Sequence, residues 1–180
     1  MKCIDTNLLG VKVIEPKVFG DSRGFFLETF REDWFKSHCE NVDFVQDNHS
    51  KSKKGILRGM HYQTKHTQGK LVRVTQGEVY DVVIDMRQDS PTFSQWYGIH
   101  LSAQNHRQLW VPAGFAHGFL VLSDVAEFVY KCTDYYDPCS EVSIKYNDPV
   151  LGIKWPLSDS EIHLSDKDKQ GQNFIDAPRM

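Results

Sequence analysis

A series of short runs rich in β-branched and aromatic residues constrains the fold more than any other feature of this sequence. Examples are VKVIEPKVF (11–19), KLVRVTQGEVYDVVIDMR (70–87) and AEFVYKC (126–132), and turn-forming stretches such as GDSRG, KSKKG and RQDSPT separate such runs. Branched and aromatic side chains favour strands, whereas Gly, Pro, Asn, Asp and Ser favour the turns between them. Many short strands at this spacing predict an all-β sandwich or barrel, with the jelly roll among the candidates.

Helical signal is confined to two short segments. REDWFKSH (31–38) is long enough for about two turns, and SDKDKQ (165–170) for a single turn near the end of the chain. No internal repeat, low-complexity tract or linker divides the sequence. Because 180 residues suit one compact domain with a sizeable core, we expect a single domain over residues 1–180, all-β with a few short helices.

Charge and composition argue against several functional classes. The formal net charge of −3 gives no overall basic field for nucleic acid. The first ten residues lack the apolar region of a signal peptide, and no apolar run approaches the roughly 20 residues of a membrane span. The cysteines contain no C-x-x-C pair, which argues against a disulfide framework or a Cys-rich zinc site; they are Cys3, Cys39, Cys132 and Cys139. We therefore predict a cytoplasmic protein with neither nucleic acid nor membrane as partner.

Strand parity predicts polar side chains among apolar ones. In EVYDVVID (78–85), Asp81, Val83 and Asp85 share one face, because successive side chains of a strand point to opposite sides. An acid that alternates with valine in mid-strand indicates a half-polar cavity. His117, in another apolar run, is a candidate for the same interior.

The run GILRGMHYQ (55–63) poses a conflict of parity. His61 and Arg58 have opposite parity, so an ideal strand cannot turn both into one pocket. A bulge near Gly59 or Gly55 would bring them to the same side.

A metal site is not expected, although part of the sequence resembles a metal-binding pattern. VPAGFAHGF (111–119) contains P-x-G-x-x-H, which resembles the second half of the signature of cupins, small jelly-roll barrels that often bind a metal. The first half of that signature supplies H-x-H and a glutamate, whereas here Gln63 follows His61 and no glutamate lies near. On pattern alone, His61 and His117 stay open between a catalytic or substrate-binding role and that of satisfied interior histidines.

Longer motifs resemble those of the dTDP-4-dehydrorhamnose 3,5-epimerase family. In chain order they are FGDSRGFFLETF (19–30), FVQDNHSKSKKGILRGMHYQ (44–63), QGKLVRVTQGEVYDVVIDMR (68–87), RQLWVPAGFAHGFLVLSDVAEFVYKCTDYYDP (107–138) and LSDKD (164–168), and together they span nearly the whole chain. The resemblance implies a cupin-type double-stranded β-helix, or jelly roll, without metal or other cofactor. It also implies a homodimer that shares or exchanges strands, and a dTDP-4-keto-6-deoxyhexose as substrate.

The implied reaction inverts C3 and C5 of dTDP-4-dehydro-6-deoxy-D-glucose and gives dTDP-4-dehydro-L-rhamnose, for dTDP-L-rhamnose and cell-envelope sugar synthesis. Both carbons flank the C4 ketone, so each inversion needs a base, stabilisation of the enolate and a proton donor on the opposite face. The resemblance makes His61 the base, with an imidazole pKa suited to that task, and Asp168 its orienting partner, with Asp166 as an alternative. It makes Lys70 the cation that faces the keto oxygen and Tyr130 the proton donor.

The resemblance also implies a set of substrate-binding residues. Arg23 and Arg58 would bind the diphosphate, because guanidinium groups suit bidentate phosphate contacts. Tyr136 would stack on the thymine. The full set is Arg23, Glu28, Gln46, Asp47, Asn48, Arg58, Asp81, His117, Tyr136 and Glu141, in which His117 and Asp81 are also candidates for a second His–Asp pair.

Three alternatives remain at this point. One is a related epimerase that acts at C3 only or on another nucleotide-linked hexose. A second is a metal-dependent cupin oxygenase, and a third is a binding module without catalysis. The joint presence of a base, a cation and a proton donor argues against the third.

Overall fold

The computed structural model describes residues 1–180, and strands dominate it. The strands are β1 (Lys2–Asp5), β2 (Lys12–Glu15), β3 (Val18–Asp21), β4 (Gly24–Leu27), β5 (Gln46–Lys53), β6 (Leu57–Gln63), β7 (Lys70–Gln76), β8 (Glu78–Asp85), β9 (Trp96–Ser102), β10 (Gln108–Val111), β11 (Phe115–Val121), β12 (Val125–Cys132) and β13 (Glu141–Ser143). The helices are α1 (Glu32–His38) and α2 (Asp166–Lys169), with 3₁₀ turns at Asp159–Glu161 and Phe174–Asp176. The all-β prediction is confirmed, as are both short helices. Neither helix has the length and apolar character needed to cross a membrane.

Two antiparallel sheets face each other. One has six strands in the order β1-β2-β10-β7-β12-β5, and the other has five in the order β13-β6-β11-β8-β9. The core between them combines inward side chains of both sheets, such as Val72 and Phe128 from the first and Val83 and Phe119 from the second. This arrangement is the predicted jelly roll, in which each sheet covers the apolar face of the other.

The two faces of β8 confirm the parity prediction. Asp81 and Val83 point toward the core between the sheets, whereas Val82 and Ile84 point to the outer side of the five-stranded sheet. The segment after β13 covers that outer side, with Phe174 among the residues that pack there. Since both faces of β8 are buried, the carboxylate of Asp81 lies fully inside the protein.

A separate two-stranded hairpin, β3–β4, pairs with neither of the large sheets. Its aromatic side chains are mostly exposed: Phe25 retains 64% and Phe26 retains 70% of its accessible surface. Contiguous exposed apolar side chains on a projecting element are typical of a surface that another molecule covers.

Candidate active site

A cavity of about 540 Å³ opens between the two sheets. Strands β5, β7 and β12 of one sheet, β6 and β11 of the other, and helix α2 contribute to its wall. The polar side chains that line it are Ser50, Arg58, His61, Lys70, His117, Tyr130, Ser165, Lys167 and Asp168, and its apolar members include Phe119 and Phe128. The structure thus brings together all four side chains that sequence reasoning had made catalytic candidates.

A bulge in β6 lets Arg58 and His61 reach the same cavity. His117 pairs with His61 and Phe119 pairs with Arg58, so β6 holds one residue more than β11 between these two pairs. Gly59, in the bulge, has a φ of +132°, and a Cβ there would lie 2.5 Å from the Cα of Gly118. The predicted bulge is therefore present, and it depends on the close approach of two glycines.

His61 is bonded to Asp168, although 107 residues separate them in sequence. His61 Nε2 donates to Asp168 Oδ1 at 2.5 Å, and Ser165 Oγ donates to the other carboxylate oxygen at 2.8 Å. Burial alone would raise the pKa of Asp168, but the hydrogen bonds from His61 and Ser165 hold that pKa below its ordinary value. Asp166, the alternative partner, is exposed and pairs with Lys169 instead.

A second histidine–carboxylate pair lies deeper in the barrel. His117 Nε2 lies 2.9 and 3.0 Å from the two carboxylate oxygens of Asp81. Burial raises the pKa of Asp81, while the nearby His117 and Lys70 oppose that rise. The structure thus forms the second His–Asp pair that the sequence had suggested.

Lys70 and Tyr130 present unpaired polar groups to the cavity. Lys70 makes no hydrogen bond or ion pair, and burial lowers the pKa of its ammonium group from the ordinary value. The hydroxyl of Tyr130 likewise has no hydrogen-bond partner, and burial raises its pKa to about 12. Tyr130 is therefore a protonated phenol at neutral pH, and the amine of Lys70 keeps all its hydrogen-bonding capacity free for a ligand.

A polar strip continues from the cavity toward Tyr136. The backbone N–H of Tyr136 donates to Gln46 Oε1 at 3.0 Å, and its hydroxyl donates to Glu141 Oε2 at 2.7 Å. Glu141 Oε1 lies 3.8 Å from His61 Nδ1. Asn48 extends the strip by accepting a hydrogen bond at its Oδ1 from Gln46 Nε2 at 3.2 Å. This strip joins four of the predicted nucleotide-binding residues to the imidazole of His61.

Three predicted binding residues lie away from both the cavity and the polar strip. Asp47 points to the opposite face of β5 from Asn48, where it pairs with Lys131. Arg23, at the tip of the β3–β4 hairpin, has a side chain that is 88% exposed and bonded to Asp21. Glu28 follows the same hairpin and lies near Arg31. The strand period of two explains the position of Asp47, and the projection of the hairpin explains the other two.

Sequence reasoning missed Ser50 and two further polar residues of this wall, Lys167 and Ser165. Lys167 lines the cavity and forms an ion pair with Glu141. Lys167 and Ser165 both lie in the LSDKD motif (164–168), from which only the aspartates had been considered. No group of three or more His, Cys, Asp or Glu side chains is arranged to hold a metal ion.

Fold and site together define a cupin-type barrel whose cavity is lined by histidine, carboxylate, tyrosine, lysine and arginine side chains. The chain belongs to the dTDP-4-dehydrorhamnose 3,5-epimerase family, whose model matches residues 5–176.

Two relatives and one solved structure illustrate the match. The chain is 56% identical to the dTDP-4-dehydrorhamnose 3,5-epimerase of Pseudomonas aeruginosa, over 98% of each protein. It is 58% identical to that of Neisseria gonorrhoeae over 99% of this chain, but it spans only 54% of that longer relative. A crystal structure of the Legionella pneumophila epimerase in complex with dTDP-4-keto-L-rhamnose is 52% identical, with a TM-score of 0.94 over 99% of this chain and 98% of that one.

Proposed function

We propose that this protein inverts C3 and C5 of dTDP-4-dehydro-6-deoxy-D-glucose and releases dTDP-4-dehydro-L-rhamnose, the precursor of dTDP-L-rhamnose. The observation that carries the proposal is the convergence of the bonded pair His61–Asp168 with unpaired Lys70 and Tyr130 in one cavity. Membership of the epimerase family supports it independently, and the family's name favours inversion at both carbons over the C3-only alternative.

His61 is the proposed base. Its Nε2 donates to the carboxylate of Asp168, which leaves Nδ1 as the nitrogen that accepts a proton from C3 or C5. The ionised Asp168 would stabilise the imidazolium that forms. No net oxidation occurs when a C–H bond breaks and re-forms beside a ketone, so the reaction requires no redox cofactor.

Lys70 and Tyr130 are proposed for the two remaining tasks, which are stabilisation of the enolate and return of a proton. The ammonium group of Lys70, which has no internal partner, would stabilise the negative charge that develops on the C4 oxygen. The phenol of Tyr130, with a pKa raised to about 12, stays protonated and returns a proton on the face opposite His61. Because it lies on β12, in the sheet facing that of His61, the two groups approach a ligand from different walls.

The nucleotide would extend from the cavity along the polar strip. Arg58, which donates to Ser52 Oγ at 3.0 Å, keeps its terminal nitrogens for the diphosphate. Tyr136 would stack on thymine, with Gln46, Asn48 and Glu141 as polar contacts to the base and ribose. The Legionella structure, which holds a dTDP-linked 4-ketohexose, supports a ligand of this size and chemistry.

A second copy of the chain would supply the diphosphate contacts that one copy lacks. The exposed aromatic residues of the β3–β4 hairpin support a covering partner, and Arg23 and Glu28 lie on or beside that hairpin, away from their own cavity. We therefore propose a homodimer in which each hairpin reaches the partner's site. In this proposal residues 1–180 form one domain, and the protein acts in the cytoplasm.

Reaction in deuterated water tests the activity. Incubation with dTDP-4-dehydro-6-deoxy-D-glucose should place deuterium at both C3 and C5 of the product, read by mass spectrometry and NMR. Uptake at C3 alone would support the mono-epimerase, and no uptake would reject epimerisation.

Subunit mixing tests the dimeric site. Arg23→Ala and His61→Ala should each be nearly inactive as homodimers, but their co-expression should restore activity. Each mixed dimer would contain one site with an intact His61 and an intact Arg23 from the other copy. If Arg23 acted within its own chain, no mixed dimer would hold a complete site and activity would stay low.

A further inference from the structure

Ser165 lies directly behind the carboxylate that holds His61. Its Oγ donates to Asp168 Oδ2 at 2.8 Å and accepts the backbone N–H of Asp168 at 3.1 Å. The other carboxylate oxygen, Oδ1, is bonded to His61 Nε2. One hydroxyl therefore fixes both the backbone of Asp168 and the plane of its carboxylate.

We propose that Ser165 is a positioning residue for epimerisation, which keeps the Asp168 carboxylate ionised and oriented toward His61. This inference rests on the proposed function and adds a third member to the His61–Asp168 pair. Ser165 would act through Asp168, without a contact to the reacting carbons.

The local backbone explains why this hydroxyl is needed. Helix α2 has only four residues, and a single turn is too short to be rigid by itself. Ser165 is its N-cap and Asp168 its third residue, so the cap bond to the amide of Asp168 holds that turn closed. In a capping box the third residue would bond back to the cap's backbone N–H. Here the carboxylate instead bridges the cap hydroxyl and the imidazole.

The charges around Asp168 determine the expected pH effect. Burial opposes its ionisation, while hydrogen bonds from His61 and Ser165 and the charge of Lys167 on the same helix lower its pKa. The other ionisable groups around the pair on neighbouring elements are the phenol of Tyr130 on β12 and four further side chains: Glu141 on β13, Lys70 on β7, Arg58 on β6 and His117 on β11. None of these groups is bonded to Asp168. Loss of the Ser165 hydroxyl should therefore make the coupled pair bind its proton at a higher pH.

Ser165→Gly separates the two roles of this residue. Glycine is nearly as good an N-cap as serine, so the variant should keep α2 but lose the bond to the carboxylate. We expect kcat/KM at neutral pH to fall about tenfold and the acid limb of its pH profile to rise by about one pH unit, the usual size for one bond to a charged group. Ser165→Thr retains a capping hydroxyl and should restore both values.

A matched control lies outside the cavity. Ser158 caps the 3₁₀ turn Asp159–Glu161 in a capping box, so Ser158→Ala removes a cap without touching the His61–Asp168 pair. Its pH profile should match that of the unmodified protein. A wild-type profile in Ser165→Gly, or a rise in KM alone, would overturn the proposal, because the serine would then be a cap or a direct substrate contact.

Titration of the substrate-free protein tests the role of Ser165 without an activity measurement. The side-chain carboxyl carbon of Asp168, followed by NMR, should report an upward shift of about one pH unit in its apparent titration in Ser165→Gly, but not in Ser158→Ala. An unchanged titration would refute the positioning role even in an active enzyme. A shifted titration in a protein without deuterium exchange would refute the proposed epimerisation and leave the Ser165–Asp168 coupling standing.

Discussion

His61 and His117 are direct neighbours across the antiparallel strands β6 and β11, and a different carboxylate is bonded to each ring. Asp168 reaches His61 from the end of the chain, whereas Asp81 reaches His117 from the adjacent strand β8. Adjacent histidines with separate carboxylate partners permit separate roles, and the following substitutions distinguish them.

Replacement of the two histidines should give different kinetic defects. His61→Asn should lower kcat by about 10²-fold or more and abolish deuterium uptake at both carbons, because the base is lost. His117→Asn should mainly raise KM, since its proposed role is to bind the sugar equally in ground and transition states. Steady-state kinetics and mass spectrometry distinguish the loss of a base from the loss of a binding contact. Loss of uptake at only one carbon in His117→Asn would instead make His117 a second base.

Tyr130→Phe should separate deprotonation from inversion. Without the phenol, His61 can still remove a proton and return one from the same face, so exchange into the substrate should continue. Formation of the inverted product should fall by about 10²-fold, the usual contribution of a positioned acid. NMR of substrate and product in deuterated water measures both. Inversion at the normal rate would remove Tyr130 from the mechanism.

Lys70→Met should lower kcat by about 10²-fold, because the enolate loses its cation while the apolar stem is retained. Lys70→Arg, which keeps the charge, should lose less. Burial lowers the pKa of Lys70 below the ordinary 10.5, so its charge and the activity should be lost as pH rises through that lowered value. The alkaline limb of kcat/KM should change in Lys70→Met. An unchanged limb and rate would exclude Lys70 from the enolate site.

Gly59→Ala should destabilise the protein more than Gly24→Ala, although both glycines have nearly the same φ. The φ is +132° at Gly59 and +133° at Gly24, so an alanine at either position would adopt the same unfavourable φ. A methyl group at position 59 would lie 2.5 Å from Gly118 Cα, whereas at position 24 nothing lies within 4 Å. The melting temperature and the rate of epimerisation should both fall in Gly59→Ala. Equal melting temperatures would mean that the glycine contact does not support the bulge.

Asp85→Ala should cost about 3–5 kcal/mol of unfolding free energy, because it leaves the partly buried guanidinium of Arg87 without its partner. Burial opposes ionisation of Asp85, but bonds from Arg87, Ser90 and Thr92 hold its pKa below the ordinary value. Its stabilising contribution is therefore complete at neutral pH and is lost as pH falls through that low pKa. Denaturant titrations across acidic pH should show a smaller pH dependence in Asp85→Ala. The exposed Asp166 provides the control, and equal effects of both alanines would contradict this prediction.

The resemblance to the epimerase family named the side chains that meet in the cavity, whereas sequence periodicity determined the strand alternation and the two short helices. These follow from periods of a few residues and from motifs within single strands. Strand parity also explains why Asp47 lies apart from the polar strip, because three consecutive strand residues, Gln46 to Asn48, cannot all face one site.

Tertiary structure decided which of these groups meet. The bond between His61 and Asp168 spans 107 residues and depends on how α2 packs against β6. The bulge that turns Arg58 and His61 to one side requires the contact of Gly59 with Gly118 across two strands. The position of Arg23 outside its own cavity depends on a hairpin that leaves both sheets. Local periodicity fixes the direction of a side chain within its strand, but only long-range packing determines which side chain lies opposite it.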